Sequence, residues 1–185
     1  MILKEQTIII IMETFLCPNG CCKWSSVPYT HPKNWTDVWV ETTQKIKKSG
    51  GFIYDGTDQK NIKILLIQSR GQLWGSPKGS MNDGETVLEC AKREVKEESG
   101  IEIVDDNILG SIIVKNKAMY YIVNMQEIEV FPQTNVEDND ANGIGWFNIN
   151  CLINLIKYNK IKVNQHLRIL VKKILDIELP NNNLF

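Results

Sequence analysis

The sequence predicts an α/β fold, a mixed sheet sandwiched between helices. Three observations carry this reading. Runs rich in branched and aromatic residues stand on both sides of one central stretch of helical period. That stretch is closed by a glycine, and two further helical stretches end the chain. A chain of 185 residues holds one well-buried core and is short for two. One principal domain is therefore expected over residues 48–160, with an N-terminal appendage over 1–47 and a C-terminal helix over 161–185 packed on the domain.

Ile8 to Met12 is an apolar run far below the roughly 20 residues of a membrane span, and no secretory pattern surrounds it. It reads as a strand or buried segment, and Met12 is a candidate alternative start that would make residues 1–11 an extension. Residues 13–24, ETFLCPNGCCKW, suggest a small hairpin around Asn19-Gly20. The chain then stays irregular and aromatic, with Trp24, Tyr29, Trp35 and Trp39. SGGFIYD and NIKILLIQS follow as neighbouring strands joined by the turn-prone GTDQK. After RGQLWGSPKG, a helix is expected from about Thr86 to Glu98, because Gly100 suits a left-handed cap. Residues 108–114 and 118–130 read as strands, then an acidic loop, a short strand over 144–149 and two closing helices. The last helix carries Leu167, Leu170, Val171 and Ile174 as one apolar stripe, with Arg168, Lys172 and Lys173 off it.

Composition is that of an ordinary globular protein, 43% hydrophobic and 23% charged with a net charge of -1, so neither a membrane nor a nucleic-acid partner is demanded. Charge is nevertheless uneven. Lys157, Lys160, Lys162, Arg168, Lys172 and Lys173 crowd 157–173 without an acid, whereas Glu137, Asp138 and Asp140 fall together. Lysine outnumbers arginine 18 to 3, and isoleucine (25) and asparagine (18) are abundant, which suggests an AT-rich genome such as a protist's or a large DNA virus's. The five cysteines are an odd number without a secretory leader, so a reducing compartment is expected: the cytoplasm, or the host cytoplasm for a viral protein.

The central helix crowds Glu94, Glu97 and Glu98 beside Arg93, although like charges at helical neighbour spacing repel. At about 100° per residue, Val87, Leu88, Ala91 and Val95 form the buried arc, and the three glutamates border or enter it. Lys92, Lys96 and Glu89 take the solvated face. Burying unpaired carboxylates is expensive, and oxygen-only ligands favour a hard ion, Mg²⁺ or Mn²⁺. An ordinary ion-paired helix is the competing reading. Cys90 and Cys151 read as packing residues.

Gly79, five residues, Glu85, seven residues, then Arg93-Glu94-Val95-Lys96-Glu97-Glu98-Ser99-Gly100-Ile101 resembles the Nudix box at every defining position. The resemblance implies an α/β/α sandwich whose box holds metal ions against a pyrophosphate. By this likeness Glu94, Glu97 and Glu98 bind metal, the Gly79 carbonyl adds a ligand, Arg93 orients the carboxylates and Glu85 supports the loop. Glu97, Glu98 and Arg93 are then catalytic, and Lys78 and Arg70 are candidate phosphate contacts whose competing reading is a solvated surface cation. Trp74-Gly75-Ser76-Pro77-Lys78-Gly79 with Cys90-Ala91-Lys92-Arg93-Glu94-Val95 is similar to the messenger-RNA decapping branch (WGxPKG, CAxREV). So is the acidic loop six residues ahead of Trp146-Phe147, where Asp140 stands in place of the branch's glutamate. Asp140 is thus the candidate general base or extra metal ligand, with Glu137 and Asp138 as rivals.

The implied reaction is hydrolysis of a nucleoside diphosphate linked to another group, with capped RNA as first choice and 7-methyl-GDP as product. The alternatives are a hydrolase of dinucleotide or diphosphoinositol polyphosphates, and a non-catalytic module that binds a nucleotide or RNA end. The basic C-terminal face sits where decapping enzymes carry an RNA-binding helix, and Trp35 or Trp39 is placed to stack on a methylated base; packing is the competing role for each. Cys17, Cys21, Cys22 and His31 have the donor types of a structural zinc site. Adjacent Cys21 and Cys22 point to opposite faces of an extended strand, which favours buried or free thiols instead.

Overall fold

The computed structural model describes residues 46–69, 72–131 and 141–181. Two compact units divide the chain, Met1–Lys33 and Asn34–Phe185, and every described residue belongs to the second. The hairpin read over 13–24 lies outside the described residues.

Strand β1 (Lys48–Asp55) organises the sheet. One edge runs parallel to β6 (Ala118–Asn124) from Lys48↔Ala118 to Tyr54↔Asn124. Its other edge is shared by two antiparallel partners. β4 (Lys78–Ser80) pairs with its beginning, Lys48 to Gly50, and β2 (Lys63–Ser69) with its end, Tyr54 and Asp55. β2 in turn pairs with β3 (Leu73–Gly75) and, over Lys63–Gln68, with β7 (Gly143–Asn148). β5 (Ile108–Val114) extends the sheet beyond β6, and β8 (Lys162–Val163) lies parallel to β3. The path is thus β5-β6-β1-β2-β3-β8, with β4 and β7 off it.

WGSPKG carries the chain from β3, against β2, to β4, against β1. The crossing is close. Gly51 N–H donates to the Pro77 carbonyl at 3.0 Å, and a Cβ on Gly50 would stand 2.1 Å from that oxygen. Gly50 is therefore a requirement of contact.

Alternation along the strands divides the core. Phe52, Ile64, Leu66, Ile112, Val114, Ala118 and Tyr120 face α2 (Ile149–Lys157) and α3 (Gln165–Leu175), meeting Leu152, Ile156, Leu167, Leu170 and Val171. Ile53, Leu65 and Val123, with Met119 and Tyr121, face the opposite way toward Ala91 and Val95 of α1 (Val87–Ser99). Helices therefore cover both sides of a mixed sheet, the expected α/β/α sandwich. Each fully buried aliphatic or aromatic side chain here contributes about 1.5–3 kcal/mol.

α1 opens with a capping box. Thr86 Oγ1 accepts from Glu89 N–H at 3.2 Å, and Glu89 Oε2 accepts from Thr86 N–H at 2.8 Å. Glu89, read from the sequence as merely solvated, has this specific role. Gly100 closes the helix with φ 74°, donating to the Lys96 carbonyl at 2.8 Å. The buried set is Cys90, Ala91, Val95, Glu98 and Ser99, shifted toward the C-terminus from the expected arc; Val87 and Leu88 are half-buried. The shift arises because β4 turns in beneath the helix, where Cys90 Sγ meets the Ser80 carbonyl at 3.5 Å.

β6 stops at Asn124, short of the strand expected to 130. Its partner β1 ends at Asp55, whose carboxylate instead accepts from Glu127 N–H at 2.8 Å. Strands β3, β4 and β8 were not expected at all. Two or three residues carry no readable alternation, and long-range pairing alone makes them strands. Replacing Thr86 with alanine should lower stability by about 1 kcal/mol through loss of the cap. Urea denaturation checks this: an unchanged midpoint would show that the capping box contributes nothing.

Candidate active site

The turn from β4 into α1 brings the acids of the helix against the sheet. Glu94 lies directly on Gly79, where a Cβ would stand 1.9 Å from Glu94 Oε2. Glycine at this place is what lets a carboxylate reach the β4 main chain. Glu98, one helical turn on, is buried, and its Oε2 accepts from the Lys78 amide at 2.7 Å. Glu97, with 38% of its side chain exposed against 13% for Glu94, stands nearest to water.

Arg93 ties these groups to the loop before the helix. Its Nε and Nη2 grip Glu85 in a two-pronged pair at 2.7 and 3.0 Å, and Nη2 also donates to the Ser80 carbonyl at 2.9 Å. Nη1 donates to both Glu94 Oε1 at 2.8 Å and Glu97 Oε2 at 2.9 Å. The bond to Arg93 holds the Glu85 carboxyl below its ordinary pKa, while Arg93 is pushed up, foremost by Glu85. Glu94 moves the other way. Burial raises its pKa, and the charges of Glu97 and Glu85 add to that against the pull of Arg93.

Three carboxylates, Glu85, Glu94 and Glu97, thus gather around one guanidinium, with Glu98 one helical turn from Glu94, leaving negative charge that one cation does not balance. Among the described residues no three His, Cys, Asp or Glu side chains converge as a ready metal cage. Arg93 engages three of the acids, Glu85, Glu94 and Glu97, and the Lys78 amide engages Glu98. The donors nevertheless suit a hard divalent cation: all are oxygens, the half-buried Glu94 lacks full compensation, and its carboxylate rests on the Gly79 main chain.

Lys78 is half-buried in β4, in register with Gly50 and, across it, Tyr120. Tyr120 and His166 were not singled out in the sequence, yet the phenol hydroxyl and His166 Nδ1 lie 2.8 Å apart, close to Lys78. No local pattern marks a pair 46 residues apart. Cys90 is buried, and desolvation raises its pKa to about 11, so it is a protonated packing thiol at neutral pH. Cys151 is exposed, contrary to the packing role expected of it, because α2 turns its first-turn side chain outward. Trp74 packs edge-on against Phe147 with ring centroids 4.9 Å apart, and Trp146 Nε1 donates to the Ile128 carbonyl, so the decapping-like aromatic residues serve the core and a loop. Arg70, Asp140, Glu137, Asp138, Trp35, Trp39 and the set Cys17, Cys21, Cys22 and His31 lie outside the described residues.

Comparison with known proteins bears on this arrangement. The chain is 33% identical over 151 residues to the putative hydrolase 111R of Invertebrate iridescent virus 3, spanning 78% of this chain and 83% of that protein. It is 32% identical over 137 residues to the mRNA-decapping enzyme subunit 2 of Saccharomyces cerevisiae, covering 68% of this chain but only 14% of that much longer protein. In fold it is similar to the NUDIX domain of Shewanella oneidensis NrtR in complex with ADP ribose, with a TM-score of 0.52 at 13% identity, over 73% of this chain and 89% of that one. The family model for the NUDIX domain matches residues 47–167, which takes in the whole sheet, the capped helix and the acids around Arg93, and the chain belongs to that family.

Proposed function

We propose that this Nudix hydrolase cleaves the 5′ cap of messenger RNA, releasing 7-methyl-GDP. Hydrolysis of phosphoanhydride bonds comes with the family. The choice of capped RNA is carried by one observation: the likeness to a decapping enzyme over 68% of the chain takes in both WGSPKG and CAKREV. The geometry supports the reading. WGSPKG supplies the crossing strand, the Gly79 that seats Glu94 and the amide that fixes Glu98.

Family members generally use Mg²⁺ or Mn²⁺, and Glu94, Glu97, Glu98 and the Gly79 carbonyl are the groups that would hold such an ion here. When bound, it polarises phosphate oxygens and acidifies water. The chain's own residues do the rest. Arg93 fixes the rotamers of Glu94 and Glu97 and joins them to the Glu85 loop, so the acids are positioned before substrate arrives. The Lys78 amide holds Glu98 in place, and the Lys78 side chain, on the other face of the strand, offers its charge to phosphate oxygens. Asp140 is the proposed proton acceptor and Arg70 a second phosphate contact.

The basic C-terminal helix takes a smaller part than its composition suggested. Arg168 donates to the Leu179 carbonyl at 3.0 Å and also to the Pro180 carbonyl, and Lys172 pairs with Asp176 and Glu178. These two cations hold the chain end. No described helix is long and apolar enough to cross a membrane, and the proposed substrate places the enzyme in the cytoplasm.

Glu98→Gln keeps the acceptor for the Lys78 amide and removes only charge. Hydrolysis should fall by about 10²-fold or more, the upper end of what loss of a metal-site partner costs, with an unchanged melting temperature. A normal rate would remove Glu98 from the metal set. A panel of capped RNA, dinucleotide polyphosphates and diphosphoinositol polyphosphates with Mn²⁺ tests the substrate. Release of 7-methyl-GDP is expected; turnover of the small molecules alone would sink the decapping reading, and no turnover of any would leave a binding module.

A further inference from the structure

The sheet sorts charge by face. Glu94, Glu97 and Glu98 lie on the α1 side. On the α3 side, at the end of the sheet where β1, β4 and β6 begin or cross, the register places Lys78, Gly50 and Tyr120 in one row and Ser80, Lys48 and Ala118 in the next. Residues directly paired across strands project to the same face, so Lys78, Lys48 and Tyr120 share it. Tyr120 belongs to the core that packs on α3, which fixes which face this is. Lys115 joins them from the β5–β6 turn, since Val114 pairs with Ala118 and the Lys117 carbonyl accepts from both Lys47 and Lys48 N–H.

Over this row sits His166, in the first turn of α3. The start of that helix is locked to the crossing strand. Asn164 caps α3 by accepting from Leu167 N–H at 2.9 Å, its own N–H donates to the Trp74 carbonyl at 2.9 Å, and a Cβ on Gly75 would stand 1.9 Å from its side-chain nitrogen. His166 is thereby set against Tyr120, with ring centroids 5.8 Å apart and the 2.8 Å contact to Nδ1. Burial lowers its pKa, and the charges of Lys78, Lys115 and Lys48, in that order, lower it further, which favours the neutral imidazole. None of Lys48, Lys78 and Lys115 forms a salt bridge with a described carboxylate. Lys48 and Lys115 are exposed, and Lys78 and His166 half-buried.

We propose that Lys48, Lys78, Lys115 and His166 form a phosphate-binding subsite that holds the RNA body of the substrate beyond the bond cleaved. In this subsite the Tyr120 phenol would donate to His166 Nδ1 across their 2.8 Å contact and leave the imidazole proton on Nε2 as a donor toward a phosphate oxygen. This subsite adjoins the reacting groups, because the same Lys78 whose side chain enters it gives its amide to Glu98. A polyanion held at Glu94, Glu97 and Glu98 is repelled by the acids of α1, and at the end of the sheet the exposed Lys48 and Lys115 offer its next phosphates cations that pair with no described carboxylate. The inference rests on the reading of the substrate as capped RNA.

Its test separates the two. Binding of a labelled uncapped single-stranded RNA, without metal, is measured by anisotropy across a salt series for the wild type and for Lys48→Gln/Lys115→Gln, whose side chains are exposed and outside the catalytic set. Two lost phosphate contacts should reduce the salt slope by about 1.4, at about 0.7 per contact on a single strand. Tyr120→Phe should weaken binding with the slope unchanged, and Lys48→Arg, which keeps the charge, should leave both binding and slope as in the wild type. For hydrolysis, the double variant should raise KM for capped RNA and leave KM for a cap dinucleotide as it was. A raised KM for both would assign the subsite to phosphates of the cap itself and overturn its assignment to the RNA body. An unchanged slope and KM in a protein that decaps would overturn the subsite and leave the activity; a reduced slope in a protein that does not decap would do the reverse.

Discussion

The bonding of Arg93 is the constraint on which the site depends. Three carboxylates around one guanidinium are tolerable only while that cation is held among them, and its five donors meet Glu85, Glu94, Glu97 and the Ser80 carbonyl. Breaking a fully buried ion pair costs about 3–5 kcal/mol; here solvent reaches 27% of the Arg93 side chain, so the cost of losing it is smaller. The larger consequence is positional. Glu85 and Ser80 belong to the approach and Glu94 and Glu97 to the helix, so the guanidinium sets the angle at which loop meets helix. The capping box at Thr86 and Glu89 fixes where that helix begins, and the two devices together leave the loop little freedom.

The second constraint is steric. β1 cannot keep a single partner along its edge, because β4 takes its beginning and β2 its end, and the strand that crosses between them must pass close to β1. Gly50 admits the Pro77 carbonyl, Gly75 admits Asn164, and Gly79 admits the Glu94 carboxylate. A side chain at Gly50 would part the sheet from the crossing strand, while one at Gly75 or Gly79 would displace the Asn164 amide or the Glu94 carboxylate from its seat. WGSPKG is thus a structural junction before it is a functional motif, and its lysine is the residue that the junction presents to both faces, amide to one and ammonium to the other.

How much of this was legible in the sequence follows from the range of each interaction. β1, β2, β5 and β7 announced themselves through branched and aromatic runs, and α1 through its period and Gly100. The pattern Thr86-Val87-Leu88-Glu89 also carried the capping box, a local signal that the helical wheel alone passes over. β6 read too long because its end is set by where β1 stops, which no residue of β6 encodes. The grouping of Glu94, Glu97 and Glu98 was legible because one helical turn brings them together. What holds them was only half legible: Arg93 is their neighbour in sequence, whereas the Lys78 amide that fixes Glu98 and the contact between Tyr120 and His166 depend on the sheet being assembled.

The separation of charge across the sheet follows from these same two constraints. The helix that carries the acids must lie on the face where Gly79 is bare, and strand alternation then sends the Lys78 side chain, one residue earlier, to the opposite face. A small nucleotide needs only the acidic side of this arrangement. A substrate that continues as a phosphate chain has reason to use both, because a chain leaving carboxylates is drawn to cations that no described carboxylate neutralises, and Lys78 stands one strand residue away. The asymmetry of a single residue step in β4 is therefore enough to give the molecule a reacting face and a holding face.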